Sequence, residues 1–206
     1  MSHSLAIVVS WAAVLTGAVA AVAQYRRVTK LGVVGVSTAT WMLFTLNNGF
    51  WIIFGALSAH SLAVVMGSLA SWPWQIAIVI RLAPWRHRLE SLKATAMFIV
   101  TCAVPGMIGG WSYGVYGVGL SMTLLRGPQF VELLRSRDAS GVSSASWFIG
   151  AGCSALWIFY YANIHLVAPL IATAASGSAS LVIASMAVWR HQQAQQEFVR
   201  REVFAT

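Results

Sequence analysis

Two pairs of residues with the same spacing are the clearest candidate for a binding site. Asn47 and Trp51 lie four positions apart in one apolar segment, and Cys153 and Trp157 repeat that spacing in another. On a helix, residues four apart share a face, one turn from each other. An indole offers an apolar plate for the C–H groups of a sugar, while amides and hydroxyls hydrogen-bond its OH groups. The spacing therefore predicts a two-sided pocket for a small polar solute.

Four further polar residues complete the predicted pocket. Asn48 and Ser154 follow the paired positions directly, and Ser68 and Thr173 place hydroxyls in two other apolar segments. Paired hydroxyls can hydrogen-bond a polar solute. The alternative for the Trp pair is helix packing or an interfacial belt, and for Ser68 and Thr173 it is close interhelical contact.

The composition excludes most enzymes and predicts an integral membrane protein. Of the 206 residues, 58% are hydrophobic and only 9% are charged, against about a quarter in a soluble domain. Metalloprotease, phosphate-loop and nucleophile-elbow motifs are missing from the sequence, so we expect no enzyme, no cofactor and no metal. None of the five acidic residues lies in the middle of an apolar segment, which argues against an ion-driven pump.

Seven segments are long and apolar enough to be predicted as transmembrane helices. They cover residues 5–23, 38–57, 62–80, 94–110, 113–134, 142–162 and 166–189. Twelve of the 13 Lys and Arg residues lie in or beside four alternate segments between or after these helices. Cytoplasmic loops collect basic residues, so this distribution predicts an outside N-terminus and a cytoplasmic C-terminus in a plasma membrane, with a prokaryotic inner membrane favoured. The same distribution makes the positive charge an orientation signal and argues against nucleic acid, so the expected partners are the lipid bilayer and a small solute.

An internal repeat organises these segments. The stretch 35–41, Gly-Val-Ser-Thr-Ala-Thr-Trp, returns as Gly-Val-Ser-Ser-Ala-Ser-Trp at 141–147, and Gln24 returns as Gln129. Two three-helix units with one helix between them would be parallel, because the extra helix restores the orientation. We therefore expect an all-α integral membrane fold of seven transmembrane helices in a 3+1+3 arrangement. The predicted boundaries are 1–90 for the first repeat, 91–112 for the linker helix, 113–191 for the second repeat and 192–206 for a frayed cytoplasmic tail.

The second repeat resembles the PQ-loop motif of the SWEET and SemiSWEET sugar facilitators. The resemblance rests on Pro128 and Gln129, on the Arg-Ser-Arg-Asp-Ala-Ser-Gly-Val-Ser run at 135–143, and on Trp157. It implies that Trp51 and Trp157 line a sugar site and that the prolines support an inner gate. Pro128, Gln129 and Gln24 are therefore the expected gating residues. The first repeat departs from the motif, since Ala23 stands before Gln24, and the third helices lack the family's Asn.

The expected function is passive transport of a small polar solute by alternating access, with a mono- or disaccharide favoured. The first alternative is a PQ-loop carrier for an amino acid or a vitamin, proton-coupled through Asp138. The second is a membrane receptor of the same fold that does not transport. Arg126 is the only deep charge, and we expect it to extend towards the cytoplasm or to line the cytoplasmic vestibule. Glycines between positions 106 and 119 predict close helix contacts, and a homo-oligomer stays open.

Overall fold

The structure is a computed structural model that describes residues 3–82, 88–136 and 138–205. Every regular element in those ranges is a helix. The helices are α1 (His3–Leu31), α2 (Thr38–Leu57), α3 (Leu62–Leu82), α4 (Arg88–Phe98), α5 (Val104–Leu124), α6 (Arg126–Arg135), α7 (Ser144–Asn163) and α8 (Val167–Ala205), and a π-helical turn at Ile99–Ala103 joins α4 to α5. Arg137 of the predicted motif and the basic residues of 83–87 lie outside the described ranges.

The helix bounds agree with the predicted segments at α2 and differ at both ends of the chain. Helix α1 runs eight residues beyond the predicted end and stops at Gly32, which adopts a positive φ of 87°. Helix α8 continues to Ala205 instead of fraying after 191. Its extension is rich in Gln, Ala, Glu and Arg and has no Gly or Pro, so it favours a continuous helix.

Two interruptions divide the chain between positions 104 and 135. Gly110 has a φ of 74° inside α5, a conformation that residues with a Cβ rarely adopt, and it turns the chain between two helical stretches. Leu125 separates α5 from α6, so the predicted fifth segment is two helices. Pro128 is the third residue of α6, where the backbone amide has no intrahelical partner, and the proline is therefore tolerated.

Several long apolar helices are consistent with a membrane protein. Among the described residues, four stretches have the length and composition to cross a membrane: Leu5–Leu31, Leu62–Leu82, Leu89–Trp111 and Pro169–Arg200. Seven were predicted. Helices α2 and α7 and the divided α5–α6 stretch are not among these four. Large apolar side chains, such as Leu15, Ile80 and Met107, are exposed on the outside, as expected for a surface in lipid.

Two groups of helices pack against each other. Helix α3 lies between α1 and α2, and α8 contacts α5, α6 and α7 in the same central role. The groups meet where α1 packs on α7 and α2 packs on α5 and α6, while α4 lies against α2. The loops 32–37 and 136–143 touch at one end of this assembly, which we call the basic end. The loops 58–61 and 164–166 mark the opposite end.

The same local geometry occurs at matching positions of the two groups. Ser37 and Ser143 both cap the following helix, each accepting a hydrogen bond from the amide three residues on. His60 and His165 are the two non-glycine residues with positive φ in the described ranges, at 45° and 58°. Val36 and Val142 are matching positions of the repeat, and so are Ile78 and Ile183. All four belong to one buried cluster at the basic end. Matched sequence positions thus occupy matched environments.

Glycines allow the closest helix crossings. A Cβ on Gly117 would overlap the carbonyl oxygen of Thr101, and Gly114 lies against the Cα of Gly106. A Cβ on Gly119 would come within 2.9 Å of the Ala172 Cβ. The predicted close contacts are present at Gly106, Gly114, Gly117 and Gly119, whereas a Cβ on Gly110 would meet no atom within 4 Å.

Candidate functional site

A cavity of about 200 Å³ lies between the two groups of helices. Helices α1, α2, α3, α7 and α8 form its wall, together with the junction of α5 and α6. All eight residues predicted to bind a solute line it: Asn47, Asn48, Trp51, Ser68, Cys153, Ser154, Trp157 and Thr173. The side chains chosen by matching the two repeats are therefore brought together by the fold around one cavity.

Two pairs of tryptophans divide the cavity into layers. Trp41 and Trp147 line it near the basic end, and Trp51 and Trp157 line it ten residues further along the same two helices. Ten residues of α-helix rise about 15 Å. The polar residues on α2 and α7 fall between these two aromatic layers.

Aromatic rings close the layer at the basic end. The ring of Phe44 lies 5.4 Å from that of Trp41 and 6.0 Å from that of Trp147, measured between centroids. Trp41 and Trp147 are 4% and 5% exposed. This contact spans the two groups, since Phe44 belongs to α2 and Trp147 to α7, and it seals the cavity on that side.

The ring contacts of the outer tryptophans are with aromatic residues of their own helices, and Trp157 also lies against Gly67 of α3. Trp157 stacks on Tyr161 at 5.6 Å with an interplanar angle of 22°, and a Cβ on Gly67 would lie 3.1 Å from its ring. Trp51 makes edge contacts with Phe50 and Phe54 at 5.8 and 5.5 Å. In the described part of the chain the two indoles make no ring contact with each other, in contrast to Phe44 and Trp147 at the basic end.

Between the aromatic layers, polar groups are held by neighbouring helices. Asn47 is 3% exposed, and its Oδ1 accepts a hydrogen bond from the Ser121 hydroxyl at 3.1 Å. The Asn48 amide donates to the side chains of Gln75 and Ser71. The Asn47 Nδ2 is buried without a partner, which leaves one amide donor uncommitted beside the cavity.

The corresponding positions of α7 carry smaller groups. The Cys153 thiol donates to the Ala13 carbonyl at 3.3 Å, and the Ser154 hydroxyl donates to the Gly150 carbonyl at 3.1 Å. Ser68 and Thr173 are buried, at 6% and 4% exposed, on α3 and α8. The cavity is therefore richer in amides on the α2 side than on the α7 side.

The two predicted gating glutamines hold the loops at the basic end. The Gln24 amide donates to the Gly141 carbonyl, and the Ser143 amide donates to the Gln24 Oε1, both at 2.8 Å. Gln129 repeats this arrangement in the opposite direction: it donates to the Gly35 carbonyl at 2.7 Å, and the Ser37 amide donates to its Oε1 at 2.9 Å. We call these four bonds the glutamine clamps. Both glutamine side chains are completely buried.

A second pair of hydrogen bonds reinforces the clamps. The Thr40 hydroxyl on α2 donates to the Leu125 carbonyl at 2.8 Å, and the Ser146 hydroxyl on α7 donates to the Ala20 carbonyl at 2.6 Å. Thr40 and Ser146 occupy matching positions of the repeat, as do Leu125 and Ala20. One bond joins the start of α2 to the junction of α5 and α6, and the other joins the start of α7 to α1. Both lie next to Trp41 and Trp147, which form the layer of the cavity at the basic end.

The remaining predicted residues lie outside the cavity. Pro128 follows the interruption at Leu125 and precedes Gln129. Asp138 is exposed, and its carboxylate accepts a hydrogen bond from the Ser140 amide at 2.8 Å. That bond closes the loop on itself, so the proposed coupling residue and the cavity are separate features of the structure.

Of the two positions expected for Arg126, the one in which its side chain extends out of the protein is wrong. The side chain is 7% exposed and lines the cavity. Its Nε donates to the Ser180 hydroxyl at 2.8 Å, its Nη1 donates to the Met122 carbonyl, and its guanidinium carbon lies 5.3 Å above the Phe44 ring. These contacts turn the side chain inwards because they satisfy part of the guanidinium inside the protein.

Sequence reasoning missed Trp41 and Trp147 as members of the site. Both belong to the repeated motif, but the motif served only to establish the repeat. The available signal was their position: each lies seven residues before Asn48 or Ser154 on the same helix, and seven residues bring a side chain back to nearly the same face after about two turns. Within the described residues, no group of His, Cys, Asp or Glu is arranged to hold a metal ion.

Comparison of the chain with protein-family models, curated proteins and solved structures gives no match.

Proposed function

We propose that the protein is a membrane transporter, a passive alternating-access carrier of a small polar solute of monosaccharide size. The observation that carries this proposal is the cavity between the two helix groups. All eight residues predicted to bind a solute line it. Its volume of about 200 Å³ lies below the roughly 300–1,000 Å³ of pockets for drug-sized ligands, which favours a small solute.

The membrane arrangement in this proposal has seven crossings. Helices α2 and α7 are 20 residues long, about 30 Å, which is the thickness of the hydrocarbon core. The α5–α6 stretch supplies the remaining crossing, and α4 with the following π-helical turn is the linker between two parallel repeats. In this 3+1+3 arrangement the basic end faces the cytoplasm of a plasma membrane and the N-terminus faces outside.

The proposed transport cycle exchanges which end of the cavity is closed. At the basic end the glutamine clamps and the ring contacts around Phe44 close the space, whereas Trp51 and Trp157 stand apart at the other end. Opening inwards requires the clamps to separate as the two groups rock, and closing outwards brings the two indoles over the solute. Such a cycle is typical of carriers whose site lies between repeats.

The charges of the cavity support passive transport. Its described lining contains no Asp or Glu, and Asp138 lies in the loop at the basic end. Proton and sodium coupling usually use an acid within the membrane. A facilitator needs none, because the solute's own gradient drives the flux.

The test is exchange of radiolabelled monosaccharides across proteoliposomes containing the wild type, Trp51→Ala, Trp157→Ala or Trp11→Ala. Trp11 is the matched control, since it is 38% exposed and does not line the cavity. We expect exchange in the wild type and the control and a loss of about tenfold or more in each cavity variant, because each removes one plate of the site.

Other outcomes separate the alternatives. Binding without flux identifies a receptor. Accumulation that disappears with the pH gradient and with Asp138→Asn identifies a proton-coupled carrier. Unchanged exchange in both cavity variants contradicts the proposed site.

A further inference from the structure

The cavity contains one cation and no carboxylate. Arg126 is the single charged residue in the described lining, and it is 7% exposed. Removing a guanidinium from water without an opposite charge is costly, so buried arginines are ordinarily paired with an acid. No described Asp or Glu lies in the lining to serve as that partner.

The groups around Arg126 leave the charge uncompensated. Its known partners are the Ser180 hydroxyl, the Met122 carbonyl and the Phe44 ring, all of which are neutral. A guanidinium has five N–H donors, and these hydrogen bonds use only part of that capacity. The guanidinium is therefore held in place, partly satisfied and without a counter-ion, at the wall of the cavity.

The other unsatisfied groups of the lining are mainly N–H donors. Trp41 Nε1, Trp147 Nε1 and Asn47 Nδ2 are buried without a partner, and so is the Ser176 hydroxyl. All four residues line the same cavity as Arg126. An indole N–H and an amide NH₂ can only donate, so three of these four atoms have no acceptor among the described residues, and an acceptor on a bound solute would complement them.

We infer that the transported solute is a small organic anion, a polyhydroxylated monocarboxylate of the sugar-acid type. The inference rests on the proposed function and specifies the substrate class of the same cavity. Arg126 binds the carboxylate near the layer formed by Trp41 and Trp147, and Asn47 and Ser176 serve its hydroxyl groups. One cation matches one carboxylate, whereas a phosphate dianion would leave a net negative charge in the cavity.

This arrangement discriminates against neutral sugars of the same shape. A neutral hydroxymethyl group in place of the carboxylate leaves the buried guanidinium without an anion and replaces charge-assisted hydrogen bonds by weaker ones. Sites built around such a bond reject ligands that lack it more strongly than apolar pockets reject a missing methylene. We expect a preference for the acid over the matched neutral sugar of at least about tenfold.

The test compares matched pairs of solutes in proteoliposome exchange: D-glucuronate with D-glucose, D-galacturonate with D-galactose, and D-glycerate with glycerol. The variants are Arg126→Gln, which removes the charge, and Arg126→Lys, which keeps it. Arg81→Gln is the control, because Arg81 is exposed and does not line the cavity. We expect the wild type and the Arg81 variant to prefer the acid, Arg126→Lys to keep part of the preference, and Arg126→Gln to lose it.

The failure of this inference differs from the failure of the proposed function. Exchange of neutral sugars with an acid-to-neutral ratio that Arg126→Gln leaves unchanged overturns the anion and retains the carrier. Exchange of none of the six solutes overturns the carrier and the anion together.

A measurement on the wild type decides the question if Arg126→Gln does not fold. Cys153 lines the cavity, so its rates of reaction with an anionic and a cationic methanethiosulfonate reagent report the sign of the potential there. Relative to the same ratio for glutathione, we expect the anionic reagent to be favoured by about fivefold or more. An equal or lower ratio overturns the inference. Cys153→Ser gives the background.

Discussion

Replacing Gln129 by alanine removes both bonds of one glutamine clamp. The Ser37 amide and the Gly35 carbonyl lose partners at 2.9 and 2.7 Å, and the side chain that leaves was completely buried. A buried donor or acceptor without a partner costs about 1–3 kcal/mol, so the two together predict a loss of about 2–6 kcal/mol in the free energy of unfolding. Gln24→Ala exposes the corresponding groups of the other loop and should cost a similar amount.

The assay is equilibrium unfolding in mixed detergent micelles, followed by tryptophan fluorescence. Gln195→Ala is the matched control, because Gln195 lies on the exposed extension of α8 and should change stability by less than about 0.5 kcal/mol. The reasoning is refuted if both clamp variants unfold like this control. It is also refuted if one loses several kcal/mol and the other none, since the two clamps have the same geometry.

Two further predictions concern the cysteines and the glycines. A hydrophilic thiol reagent should label Cys153, which lines the cavity, but not Cys102, which is completely buried. Peptide mass spectrometry after labelling measures the modified fraction of each cysteine. Equal labelling of the two contradicts the access of water to the cavity. Gly117→Ala should lose about 3 kcal/mol or more in the same unfolding assay because its Cβ would overlap a backbone carbonyl, which cannot move aside as a side chain can. Gly127→Ala meets no atom within 4 Å and should change stability by less than about 1 kcal/mol, so similar losses in the two variants would contradict the close crossing.

The sequence was sufficient to choose the walls of the cavity. A repeat with a nearly constant spacing preserves the helix face on which each side chain lies, so pairing Trp51 with Trp157 and Ser68 with Thr173 selected residues on facing surfaces. The lengths of α2 and α3 followed from mainly apolar runs without Lys, Arg, Asp or Glu at 38–57 and 62–80. The division at Leu125 was less visible, because Gly127 and Pro128 signal a bend but do not give the residue at which α5 ends.

The direction of a long side chain was not predictable from the sequence. Arg126 lies near enough to the basic end to extend towards water, and that was one of its two expected positions. It turns inwards because Ser180, on a helix 54 residues away in the chain, presents its hydroxyl at 2.8 Å. The clamps were hidden for the same reason: Gln129 bonds backbone atoms 92 and 94 residues away, and only the assembled fold brings them within reach.

The reciprocity of the clamps has a consequence for how such a chain can be built. Each glutamine hydrogen-bonds the loop of the other helix group, and each group is one half of the chain. Thr40 and Ser146 also donate hydrogen bonds from one half to the other. Neither half therefore keeps its own loop closed, and each supplies what the other lacks. Two separately synthesised halves would have complementary surfaces at the basic end, and two copies of one half would meet the same requirements about a twofold axis.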